Sequence, residues 1–145
     1  MNVSSPAIKP KKDNKIMSNV HKFPFAIAYA DTDAGGIVYH GRYIEIAERA
    51  RMNMLRGIVY PDGDLGFVVS ELNIKYIRPL KLGDEFVVET TIARIGAASM
   101  NLEQKFVRDD EIYVILNLTV AYIGGDMRPK RIPDQILQKI TKNKN

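Results

Sequence analysis

The chain has 145 residues, of which 46% are hydrophobic and 26% charged, a composition that suits one soluble globular unit with a single core. It contains no cysteine, which excludes a disulfide framework, a thiolate metal site and a catalytic thiol, and only two histidines are left for imidazole chemistry. No apolar run approaches the ~20 residues that span a bilayer, and no apolar leader follows a basic start, so a cytoplasmic location without a transmembrane segment is expected.

The formal net charge of +4 is confined to residues 1–22, where Lys9, Lys11, Lys12, Lys15 and Lys22 face only Asp13. From residue 23 onward the charges balance, so the folded part carries no net positive charge and a nucleic-acid partner is not expected. Residues 1–22, with Ser4, Ser5, Pro6 and Pro10, lack periodicity and are expected to form a disordered basic tail, with Met17 as an alternative start. Residues 23–145 are expected to be one domain.

From Phe23 to Tyr29 the odd positions are bulky and the even ones small, the period of a strand, with Pro24 placing its start at a sheet edge. Tyr43, Ala47, Ala50 and Met54 then recur at helical spacing, with Glu45 and Arg49 set to pair, which predicts a long helix of roughly four turns ending near Gly57. Four extended runs follow at 66–77, 85–95, 99–108 and 111–123, rich in Val, Ile, Thr and Tyr and expected to make an antiparallel meander. Arg108-Asp109-Asp110-Glu111 is the tightest of its hairpins, and the run from Tyr113 to Ile123 is apolar on both faces apart from Asn117 and Thr119, as a central strand would be. Residues 133–142, carrying Ile136, Leu137 and Ile140, read as a short amphipathic helix. The order implies an α+β fold with a five-stranded antiparallel sheet around one helix.

Polar and conformationally permissive residues concentrate at Tyr29, Asp31, Asp33, Gly35, Gly36, Tyr39 and His40, between a strand end and a helix start. A calcium loop opening at Asp31 would need a glutamate where Arg42 stands, and neither a phosphate-loop lysine nor a third dinucleotide-type glycine is present. No serine lies in a nucleophile elbow, and His40 with carboxylates makes a poor metal site, so no metal is expected. What remains is a carboxylate beside a helix N-terminus, whose free N–H groups stabilise an anion or a developing oxyanion. Asp33 is placed to attack or to activate water there. Equally, either aspartate could cap the helix or brace the turn, and His40 could be a surface residue.

The stretch Tyr29-Ala30-Asp31-Thr32-Asp33-Ala34-Gly35-Gly36-Ile37-Val38-Tyr39-His40-Gly41-Arg42-Tyr43, continued by Glu48-Arg49-Ala50-Arg51 and Leu55-Arg56, closely resembles the signature of the YbgC-like acyl-CoA thioesterases. These form part of the 4-hydroxybenzoyl-CoA thioesterase branch of the hotdog superfamily. The likeness extends from Phe23 to about Ile140, through Phe67-Val68-Val69 and Tyr76-Ile77-Arg78-Pro79. It implies a hotdog fold, in which the sheet wraps a long central helix. It also implies hydrolysis of acyl-CoA, of short to medium chain or aromatic, to free acid and coenzyme A. Asp33 falls on the family's essential aspartate, Tyr29 on its tyrosine and His40 on its histidine, whose backbone N–H points at the thioester carbonyl in relatives. Ala30 and Gly41 depart from the commoner residues without touching these positions. In other hotdog branches the carboxylate is a helix glutamate, for which Glu48 is the stand-in, more simply read as an ion-pair partner of Arg49 and Arg51.

Further substrate contacts are expected from Gly35, Gly36 and Tyr39, and, toward the phosphates of coenzyme A, from Arg94, Ser99, Arg128 and Lys130, with Arg108 and Arg131 as further cations. Coenzyme A belongs to the substrate, so no cofactor is expected. The resemblance implies a homodimer or homotetramer with the pocket between subunits, and an acyl carrier protein is a possible partner. The alternative is a module that binds acyl-CoA or acyl carrier protein without catalysis; it would not need Asp33.

Overall fold

Alternation of buried and half-exposed side chains runs through β3 (Glu85–Ile95), β4 (Ser99–Arg108) and β5 (Glu111–Ile123), whose inward residues include Val88, Met100, Phe106, Val114 and Leu116. The computed structural model describes residues 19–142. These three strands form the centre of a five-stranded antiparallel sheet completed by β1 (Val20–Ala26) and β2 (Gly66–Tyr76), in the order β1-β3-β4-β5-β2. Helix α1 (Arg42–Met54) lies between β1 and β2 in sequence, and the short α2 (Asp134–Lys142) follows β5.

The fold is α+β, as expected, with three corrections of detail. First, β2 is not part of the meander. It pairs with β5 at the far edge, and the chain then crosses the end of the sheet to reach β3. The crossing is held where the N–H groups of Ile77 and Arg78 both donate to the Tyr113 carbonyl, at 2.8 and 3.1 Å, and where Leu80 is fully buried. Second, β1 begins at Val20, inside the stretch assigned to the tail, because its ladder to β3 continues through Val20↔Thr91 and His21↔Thr90. The rest of that tail, up to residue 18, and Met17 lie outside the described residues. The strand also stops at Ala26 rather than Tyr29, since Tyr29–Asp31 coil into a 3-10 turn that throws Tyr29 outward, 82% exposed.

Third, the helix expected to be long has 13 residues, which is about 20 Å at 1.5 Å per residue. It ends in a tight turn in which Gly57 takes φ +89°, a conformation costly for any residue with a Cβ. Tyr43, Ile46, Ala47 and Ala50 face the sheet, and the two alanines, wholly buried, let the backbone come close. So close is the approach that the Gln104 side chain on β4 donates to the Ala47 carbonyl at 3.0 Å. Glu45 pairs with Arg42 rather than with Arg49. Ile136 and Ile140 bury the inner side of α2. Asp109 and Asp110, at φ 52° and 63°, make the two-residue hairpin whose positive angles match strand twist.

Candidate active site

The polar cluster of the sequence becomes a rigid loop between β1 and α1. The carboxylate of Asp31 folds back to accept from the Ala28 N–H at 2.9 Å and faces the Arg42 Nε at 3.2 Å, while the Arg42 Nη2 donates to the Ala30 carbonyl at 2.5 Å. Asp31 is thus spent on the turn, and only 9% exposed.

Asp33 stands differently. It is exposed, and its Oδ1 accepts from the Gly35 N–H at 2.8 Å, leaving Oδ2 without a hydrogen-bond partner among the described residues. A Cβ on Gly35 would stand 3.3 Å from that Oδ1, and Gly36 has φ +82°, so both glycines serve the loop's shape. The loop is closed by Asp33 N–H to the Ile37 carbonyl at 2.9 Å and tied to the β2–β3 crossing by Val38 N–H to the Leu80 carbonyl at 2.9 Å.

At the start of α1 the Tyr39 ring lies over Gly41, where a Cβ would meet it at 2.8 Å, and beside the His40 ring, with centroids 4.4 Å apart. The Tyr76 hydroxyl donates to the His40 carbonyl at 2.8 Å, and burial, then Tyr39, pushes the Tyr76 phenol above its ordinary pKa and keeps it a donor. Among the described residues the His40 N–H has no backbone acceptor. Here, then, a free carboxylate oxygen and a free N–H share one loop at the positive end of a helix.

A cavity of about 320 Å³ opens on this loop, lined by Ala30, Thr32, Asp33, Tyr39, Arg42 and Glu45. Asp33 and Tyr39, both expected in the site, line it. Arg42 and Glu45 were not anticipated; their i, i+3 spacing immediately after His40-Gly41 was the available signal. Tyr29 and the His40 side chain lie on the same loop but do not line the cavity.

The remaining candidates lie elsewhere. Arg94 and Ser99 flank the β3–β4 turn, at the opposite end of β3 from the Asp33 loop, about 30 Å away at strand spacing. Arg128 and Lys130 share that far end, where the Lys130 N–H donates to the Tyr122 carbonyl and the Tyr122 N–H to that of Ala98. Lys130, expected as a phosphate contact, is engaged in an ion pair here. Its ammonium sits on both oxygens of Asp64, at 3.0 and 3.1 Å, because that carboxylate is nearly buried, 4% exposed, and needs a counter-cation. Arg108 likewise faces Asp84 and Asp109. No group of three or more metal-ligating side chains gathers, and no helix is long and apolar enough to cross a membrane, among the described residues.

Residues 35–115 match the thioesterase superfamily known as 4HBT. The chain belongs to that superfamily. Within it, the chain is 34% identical over 128 residues to the acyl-CoA thioesterase YbgC of Haemophilus influenzae, covering 83% of this chain and 94% of that one. It is 31% identical over 129 residues to the acyl-CoA thioester hydrolase YbgC of Escherichia coli O6:H1, covering 83% and 95%. A crystal structure of a probable thioesterase from Bartonella henselae superposes with a TM-score of 0.72 at 30% identity, covering 79% of this chain and 99% of that one. The superfamily match begins at Gly35, so it takes in the second half of the Asp33 loop, α1, β2, β3, β4 and the first residues of β5.

Proposed function

We propose that this thioesterase-superfamily member hydrolyses the thioester of an acyl-CoA, of short to medium chain or aromatic, to the free acid and coenzyme A. The observation that carries the reading is the pairing of Asp33, with one carboxylate oxygen uncommitted, and the acceptor-less His40 N–H on a single glycine-shaped loop. A thiolate is a good leaving group, so the reaction needs little beyond a placed oxygen and a polarised carbonyl. Asp33 supplies the oxygen, either by attacking the carbonyl carbon and expelling the thiolate to leave an anhydride that water opens, or by taking a proton from the attacking water. In either route the N–H of His40 faces the oxyanion. Tyr29, Tyr39 and the His40 ring position the acyl group, and Gly35 and Gly36 let the thioester come close to the backbone.

The reading needs no metal or cofactor. Arg94, Ser99 and Arg128, remote from Asp33 in one chain, contact coenzyme A from a second subunit of a homodimer or homotetramer. Acyl carrier protein is a possible alternative carrier of the same thioester, and a soluble cytoplasmic setting suits both.

Release of free thiol from a panel of acyl-CoAs tests the activity. Asp33→Asn keeps the size and most hydrogen bonding of the side chain, so the variant is expected to bind acyl-CoA and lose at least ~100-fold in turnover. Near wild-type hydrolysis by this variant would overturn the assignment, and a wild type that binds but never hydrolyses would leave a carrier module instead.

A further inference from the structure

Tyr76 closes β2, where it pairs with Val114, and its ring stands edge-on to that of Tyr43, with centroids 5.6 Å apart. Tyr43 is buried, and its hydroxyl accepts from the Leu80 N–H at 3.1 Å, so Tyr76 leans on a fixed ring. Its backbone is held as well, because the next two N–H groups, of Ile77 and Arg78, donate to the Tyr113 carbonyl. The side chain is thus aimed, and its hydroxyl donates to the His40 carbonyl, 36 positions back in the chain, at 2.8 Å. That bond adds little to stability: Tyr76 is 46% exposed, and water would satisfy the carbonyl in its place. What it adds is direction.

His40 and Gly41 are the two central residues of a turn closed by the Arg42 N–H on the Tyr39 carbonyl at 2.8 Å. Gly41, at φ −75° and ψ −17°, makes it a type I turn, and in that form the N–H groups of both central residues point out of the start of α1. Neither has a backbone acceptor among the described residues. A glycine in the second central place, however, equally suits a type II turn, in which the middle peptide has turned over while the closing bond stays made. The flip would swap the Gly41 N–H for the His40 carbonyl oxygen on the face where an oxyanion forms, so that a donor gives way to the negative end of a dipole. Among the described residues no backbone N–H donates to that carbonyl to prevent this, since the Ile44 N–H goes to the Gly41 carbonyl instead, at 3.3 Å. The hold on the middle peptide is the Tyr76 phenol.

We propose that Tyr76 is a positioning residue for thioester hydrolysis: by pinning the His40 carbonyl it keeps the peptide that joins His40 to Gly41 turned so that the Gly41 N–H stands beside the His40 N–H as a second oxyanion donor. This role rests on the hydrolytic reading, but the hold of Tyr76 on the peptide is measurable without turnover.

Tyr76→Phe keeps the ring and its contact with Tyr43 and removes only the donor. Removing an oxyanion donor outright costs roughly 100-fold or more, and one that still faces the site in a fraction of molecules costs less, so thiol release is expected to lose ~10-fold in kcat. Because the oxyanion exists only in the transition state, KM is expected to stay within ~3-fold, and the melting temperature within ~5 °C. Replacing Tyr76 by a fluorotyrosine, which restores the hydroxyl, is expected to bring kcat back to within ~3-fold of wild type. An unchanged kcat in Tyr76→Phe, a loss carried by KM alone, or no recovery with the fluorinated ring overturns the proposal. A second measurement needs neither ligand nor turnover. The sequence contains one His-Gly step, so carbonyl-labelled histidine combined with nitrogen-labelled glycine isolates the Gly41 N–H as a single NMR signal of the full chain. Tyr76→Phe is expected to displace that signal and to broaden it by exchange on the μs–ms timescale, as the peptide turns between its two orientations. A Gly41 signal that stays sharp and in place overturns the hold of Tyr76, whereas a wild type that never hydrolyses acyl-CoA overturns the hydrolytic reading and the oxyanion role with it.

Discussion

Asp31 and Asp33 are separated by Thr32 alone, yet their carboxylates meet opposite surroundings. Asp31 holds the Ala28 N–H and Arg42 and is buried, whereas Asp33 keeps one oxygen toward solvent. Asp31→Asn preserves an acceptor for Ala28 but strips Arg42 of its charge partner beside a half-exposed helix start. It is expected to cost about 1–3 kcal/mol, a melting temperature lower by several degrees, with turnover of the folded fraction within ~10-fold of wild type. Paired thermal melts and thiol-release assays on Asp31→Asn and Asp33→Asn check this; a larger turnover loss at Asp31 would exchange the two roles. Which aspartate is which could not be read from spacing, because both stand in capping positions before a helix. Resemblance singled out Asp33, and the hydrogen bonds account for Asp31. Arg42 was missed because its partners, Asp31 and the Ala30 carbonyl, are brought to it only by the 3-10 turn.

At the scale of elements, the strands were legible wherever a Gly-, Pro- or Asp-bearing turn bounded a β-branched run, and β3, β4 and β5 match their expected limits. What was not legible is partner choice. Nothing local in 66–76 says that β2 pairs with β5 instead of its sequence neighbour β3; that follows from the crossing beneath Leu80, a long-range contact. The tie between the α1–β2 connection and the end of β5 was equally hidden. Asp64 accepts from the Tyr122 hydroxyl at 2.8 Å and from Lys130, and these two contacts, the tyrosine first, hold its carboxyl below the ordinary carboxylate range. A depressed carboxyl stabilises the fold when ionised, so its contribution is full above the unfolded-state pKa near ~4 and fades as pH falls through the lower folded value. Asp64→Asn is therefore expected to melt below wild type at pH 7, with the gap closing as the pH is taken below ~4. Melting curves between about pH 3 and pH 7 measure it, and a gap that persists unchanged into acid would assign Asp64 a neutral role.

For the whole molecule the decisive fact is separation. Asp33 sits by the end of the sheet where β3 begins, while Arg94, Ser99 and Arg128 gather where β3 ends, about 30 Å off. Within one chain the two groups of residues lie at opposite ends of the sheet. Around the Asp33 loop, moreover, apolar side chains are left outside: Tyr29 at 82%, Tyr39 at 52%, Tyr76 and Ile77 at 46%. Hydrophobic surface of this kind beside a polar site suits the subunit contact we propose, and β2, an edge strand 11 residues long, lies in the same sheet with one side unpaired among the described residues. Our proposal that two subunits share each site therefore yields a test that neither chain alone can pass. An Asp33→Asn chain lacks the reacting carboxylate, and an Arg128→Glu chain repels the phosphates of coenzyme A, so each alone should hydrolyse poorly. In a mixed assembly a fraction of sites joins the intact Asp33 of one chain to the intact Arg128 of the other. Activity is expected to reappear on co-refolding the two, toward about a quarter of wild type if they mix at random in a dimer with paired sites. No recovery in mixtures shown by mass to contain both chains would place each site within a single subunit, and a monomer by light scattering at full activity would do the same.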